Sequence, residues 1–144
     1  MNSTYIVIIF SSLFFVAPNL YAKDWKSFDR ELVLKSGPKN QCPDGRAYAI
    51  VKKNVFLLGQ NHSFSLEKTN APLEEKVEEG CSYKTESMVS ESKLVEKTVR
   101  TKCPNLKENG ILEESVELKN ESLIYKNIFI NEASKRSEFE CLYQ

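Results

Sequence analysis

Cys81 and Cys103 constrain this chain more than any other pair of residues, because the stretch between them reads as one β-hairpin closed by its own cysteines. With the fold-back centred on Ser92, Cys81 stands opposite Cys103, and Tyr83, Thr85, Val89, Val95 and Val99 share a face with both. Ser82, Lys84, Glu86, Arg100 and Lys102 take the other face. Side chains alternate along a strand with a period of two, so one face can meet a core while the other meets water. A slip of one residue exchanges the two faces. This register has one cost: Lys84 stands against Arg100, a like-charge pair that Glu86 relieves only from the diagonal.

The compartment follows from the N-terminus. Residues 1–22 contain no Asp, Glu, Lys or Arg; Tyr5 to Val16 is almost wholly apolar, Pro18 interrupts the run, and Ala22 precedes Lys23. That is the pattern of a secretory signal peptide cleaved after Ala22, although the usual basic start is missing. The apolar run is shorter than the ~20 residues a membrane span needs. Residues 23–144 are then the exported chain, read as one domain: an N-terminal segment and loop (23–45) packed with a β-meander (46–144). In a secreted or periplasmic setting Cys42, Cys81, Cys103 and Cys141 imply two disulfides. Their spacings of 39, 22 and 38 residues are too long for the paired ligands of a structural zinc, so no metal or other cofactor is expected.

From Lys23 the chain begins ambiguously. Asp24 suits a helix cap with Trp25, Phe28 and Leu32 at helical spacing, whereas Glu31 to Lys35 reads equally well as a strand. We expect a short helical or irregular turn from Asp24, a strand near Arg30–Lys35, and a loop from Gly37 to Gly45. Arg46–Val51 and Val55–Leu58 flank Lys52-Lys53-Asn54 as a tight hairpin, and Gly59-Gln60-Asn61 turns the chain into His62–Leu66. Asn70–Gly80 breaks the rhythm. Pro72, Leu73, Val77 and Gly80 suggest a helical turn with a glycine stop, which the crowding of Glu74, Glu75, Glu78 and Glu79 weakens. The segment lacks the alternating Asp/Asn-Gly loop that wraps calcium. After the central hairpin, Ile111–Leu118 and Ser122–Ile130 fold around Asn120, setting Leu112 opposite Ile128, Val116 opposite Ile124 and Glu114 opposite Lys126. Ser137–Tyr143 ends the series with Phe139, Cys141 and Tyr143 on one side.

Counted from Arg46, this gives eight short strands joined by hairpin-length turns, the signature of an all-β sandwich or barrel. Sequential hairpins favour a small antiparallel meander closing into an eight-stranded, lipocalin-like barrel or half-barrel. The likeness is one of architecture, since Trp25 lacks the glycine two residues earlier that opens the lipocalin hallmark. Three disulfide pairings are open in principle. An up-and-down meander selects Cys81–Cys103 at one end and Cys42–Cys141 at the other, the second fastening the first and last strands.

The chemistry is sparse. The 20 acidic and 20 basic residues cancel, so no basic field recruits nucleic acid or an anionic membrane. After the leader no stretch suits stable membrane insertion. His62 is the single histidine, with no glycine-flanked serine elbow or free thiol to serve as its nucleophile, and the chain reads as a non-enzyme. Carboxylate pairs of the kind that cleave sugars leave no mark on the sequence, and the five glycines form no phosphate-cradling loop. Asn61-His62-Ser63 and Asn120-Glu121-Ser122 match the glycosylation acceptor pattern. Tyr48, Tyr83, Tyr125 and Tyr143, with Phe56, Phe64, Phe129 and Phe139, fall in strands, and most are expected in the core; the alternative is a ligand cavity, with Tyr83, Val95, Val99, Phe139 and Tyr143 as its candidate walls. Three readings follow: a disulfide-stabilised module that binds a protein partner through its surface, a barrel that holds a small apolar ligand, and a hydrolase, which the missing nucleophile–base set disfavours.

Overall fold

In the computed structural model, which describes residues 25–70 and 75–144, eleven strands form two antiparallel sheets. The expected signal peptide lies outside the described residues. The strands are β1 (Asp29–Glu31), β2 (Leu34–Ser36), β3 (Arg46–Ile50), β4 (Val55–Leu58), β5 (His62–Ser65), β6 (Lys76–Glu78), β7 (Cys81–Val89), β8 (Lys93–Thr101), β9 (Gly110–Lys119), β10 (Ser122–Asn131) and β11 (Arg136–Tyr143). The smaller sheet runs β1-β3-β4-β5, and the larger runs β2-β11-β10-β9-β8-β7-β6. Helix is confined to single 3-10 turns at Trp25–Ser27, Val51–Lys53 and Leu106–Glu108.

Among the described residues the strands do not close into a barrel; two sheets share one core instead. The chain changes sheets three times, between β1 and β2, between β2 and β3, and after β5. Between β1 and β2 the turn is fixed by buried Leu32, whose N–H donates to the Gly45 carbonyl at 2.8 Å. After β5 the chain leaves the small sheet again, and β5 lies across β7 and β8 instead of pairing at their edge. There the Ser65 N–H donates to the Glu96 carboxylate at 2.6 Å. A side chain satisfies the strand edge, and the ladder that would have closed a barrel is never started.

Ala47, Phe56, Leu58 and Phe64 of the small sheet meet Leu94, Val116, Leu123, Tyr125, Cys141 and Tyr143 of the large one, all at 0–1 % exposure. Trp25 packs edge-on against Phe56 at 5.1 Å and donates its indole N–H to Ser90 O at 2.9 Å. Tyr143 donates to Pro43 O at 2.7 Å. Both disulfides are present. Cys42–Cys141 ties the loop before β3 to the last strand, and Cys81–Cys103 ties the start of β7 to the segment after β8.

The expected hairpin registers are each off by one. β7 and β8 pair Tyr83 with Arg100, Lys84 with Val99 and Glu86 with Lys97, so the Lys84–Arg100 opposition does not occur. This register turns Leu94 into the core, where the alternative leaves it outside. Lys102 then adopts φ +58°, and that extra residue brings Cys103 to Cys81. In the same way β9 and β10 pair Leu112 with Phe129, Glu114 with Asn127 and Val116 with Tyr125. The helical turn expected near residues 70–80 is also corrected for its described part. Lys76–Glu78 is a strand, and Glu79 (φ +50°) with Gly80 (φ +82°) makes the tight turn into β7, the backbone such two-residue hairpins require. Residues 71–74 lie outside the described residues.

Candidate functional site

The inner face of the large sheet is a set of cross-strand rows that change character along the strands. The row Val89–Leu94–Val116–Tyr125–Cys141 is apolar and lies under the small sheet. Its neighbour, Ser87–Glu96–Glu114–Asn127–Phe139, is polar and runs beneath β5. Beyond it come Thr85–Thr98–Leu112–Phe129 and then Tyr83–Arg100–Gly110–Asn131. Strands of nine and ten residues stacked on strands of four or five leave those last rows uncovered.

The polar row is a seam that holds the small sheet's edge. Glu96 accepts the Ser65 N–H and the Ser87 hydroxyl at 2.6 and 2.9 Å. Glu114 accepts from the Tyr125 hydroxyl at 2.5 Å and from Asn127 at 3.4 Å, and meets His62 Nδ1 at 3.0 Å. Tyr125 is also within 3.3 Å of the same histidine nitrogen. The two carboxylates are direct cross-strand neighbours, and their environments separate them. Burial raises the Glu96 pKa, its two hydrogen bonds pull it back only in part, and the Glu114 charge adds to the rise. Burial pushes Glu114 upward too, but the hydrogen bonds from His62 and Tyr125 outweigh it and leave its pKa below the ordinary value. Tyr125 is held protonated, first by burial and then by its bond to Glu114.

Beside the seam the uncovered rows form an open groove of about 440 Å³. Leu112 and Phe129 give it an apolar floor, and its polar lining sets the cations Arg100 and Lys107 beside the carboxylates Glu108 and Glu114, with His62 and the amides of Asn61 and Asn127. The Arg100 guanidinium lies 5.9 Å from the centre of the Tyr83 ring. Its Nε is shielded from water and has no hydrogen-bond partner. A donor left this way costs about 1–3 kcal/mol, so this is the one place where the described side chains leave a buried polar demand unmet.

No family model, curated protein or solved structure matches this chain. Function therefore has to be argued from the groove and the seam themselves.

The candidate cavity residues do not gather at one place. Tyr143 is in the filled core, Phe139 packs on Tyr125 at 5.9 Å, and Tyr83 supports Arg100. Val95 and Val99 pair with Ser115 and Ile111 on the opposite face of the sheet. Cys81 and Cys103, with Glu108, make the single grouping of potential metal ligands among the described residues, and their sulfurs are joined to each other. Asn61 lies in the β4–β5 turn at the groove, and Asn120 in the β9–β10 turn. Arg100, Glu96 and Glu114 escaped the sequence reading. The signal that could have found Arg100 is a cation set opposite a tyrosine on one strand and a glycine on the other, which appears only in the correct register.

Proposed function

We propose that the protein is an exported interaction module that recognises a protein partner through the uncovered half of its large sheet. The observation that carries this reading is a contrast: the space between the sheets is filled by Tyr125, Tyr143, Phe56 and Phe64, while the neighbouring face is open. A filled interior disfavours an apolar ligand held inside, and the open face mixes aromatic, amide and cationic groups as recognition surfaces do. The uncharged leader and the two disulfides support an oxidising, secreted or periplasmic compartment. Among the described residues no helix is long and apolar enough to cross a membrane.

We read the His62–Glu114–Tyr125 cluster as a clamp on β5, because its hydrogen bonds tie the first residue of β5 to β9 and β10. The test replaces Phe129 by Asp, with circular dichroism and melting as fold controls. Cross-linking in medium conditioned by the secreting cell should yield one partner with the native protein and at least about tenfold less with F129D, as for loss of a central interface anchor. An unchanged yield would overturn the reading, and so would native mass spectrometry that finds a lipid bound to the purified protein.

A further inference from the structure

We propose that the groove selects an acidic side chain in an extended peptide, with Arg100 receiving its carboxylate. This rests on reading the uncovered half-sheet as a protein-binding face, and it names the chemistry that face prefers. Three features converge on Arg100. Its Nε is desolvated and unpartnered. The Tyr83 ring supports the guanidinium from one side. Arg100 also lines the open groove, and its cross-strand neighbour Gly110, packed against the Ile130–Asn131 backbone, sets no side chain over the fork. A planar guanidinium offers paired donors that match a carboxylate, and stacking on an aromatic ring orients it beforehand.

The nearby acids do not occupy it. Glu114 is engaged by His62, Tyr125 and Asn127, and Glu108 accepts from Asn105 at 3.1 Å. No acidic group among the described residues forms an ion pair with Arg100. Lys107 adds a second cation to the groove lining. The apolar floor of Leu112 and Phe129 lies one row away, and the Asn127 and Asn61 amides face the same space. That combination suits a carboxylate flanked by apolar side chains on a peptide backbone. An isolated phosphate would leave the floor unused, and a nucleic acid would need a basic track that a chain of net charge zero does not provide.

The probes are capped leucyl-glutamyl-leucine and its glutamine isostere, titrated into the nitrogen-15-labelled protein. The acidic peptide should shift the Arg100 Nε–Hε signal and the Phe129 amide. It should bind about tenfold or more tighter than the isostere, the margin of a charge-assisted hydrogen bond. Arg100→Gln should abolish that preference while leaving the melting temperature close to that of the native protein. Equal binding of the two peptides would overturn acid selection yet leave a peptide-binding face. An Arg100 Nε–Hε signal that stays still in the native protein would overturn the assignment of Arg100 however its variant folds. The same shifts produced by acetate or inorganic phosphate at equal concentration would reduce the site to a simple anion site and overturn the peptide.

Discussion

Glu96 and Glu114 are side by side on adjacent strands, yet their folded-state pKa values move in opposite directions. Glu114, lowered from 4.5, contributes stability that is present above that value and lost as pH falls through the folded-state one. Glu96, raised from 4.5, works the other way: its contribution is complete below that value and disappears as pH rises through the folded-state one. At pH 7, Glu114→Gln should therefore cost about 1–3 kcal/mol, because three donors lose a charged acceptor. Glu96→Gln keeps an acceptor for Ser65, removes the opposed charge, and should gain about 0.5–1 kcal/mol. Urea unfolding from pH 7 to pH 3 checks both, with the E114Q deficit shrinking toward the acid end. Neither role was legible in the sequence. Glu on a strand is ordinarily a solvated residue, and Glu114 was expected to face Lys126 until the true register set it opposite Asn127.

At the scale of elements, the strands themselves were legible and their registers were not. Alternation located β7 to β11, because aromatic and β-branched residues recur every second position between turn residues. Both hairpin errors have the same source. The expected fold-backs pass through a residue, Ser92 or Asn120, whereas the chain folds back between Glu91 and Ser92 and between Asn120 and Glu121. Hairpin loops of even length match the twist of their strands better, and here the difference of one residue keeps the inward positions of β7 and β9 but exchanges those of β8 and β10. The short strands β1, β2 and β6 carry too few residues to show a period at all. Gly110 shows how tightly the true register is held. It sits at φ +149°, and a Cβ there would meet the Ile130 carbonyl oxygen at less than contact distance. Gly110→Ala should destabilise the protein by about 1–3 kcal/mol, read as a lower midpoint in thermal melting, and should disturb the groove beside Arg100.

For the whole molecule, all-β character and oxidised cysteines followed from pattern and composition, but closure did not. Whether β5 joins an edge or lies across a face depends on Glu96 reaching Ser65, a contact between residues 31 positions apart that no local pattern records. The disulfides stabilise this arrangement unequally. On the chain-entropy account the loop of 22 residues contributes about 3 kcal/mol and the loop of 99 about 4.7 kcal/mol. Replacing Cys42 and Cys141 together by serine should thus lower the urea midpoint more than replacing Cys81 and Cys103. The two loops are also nested, the shorter wholly inside the longer. A protease that severs one peptide bond anywhere between Cys42 and Cys141 therefore releases nothing. Both fragments stay covalently attached, so a single nick outside the cell opens the ring without shedding a piece of the molecule.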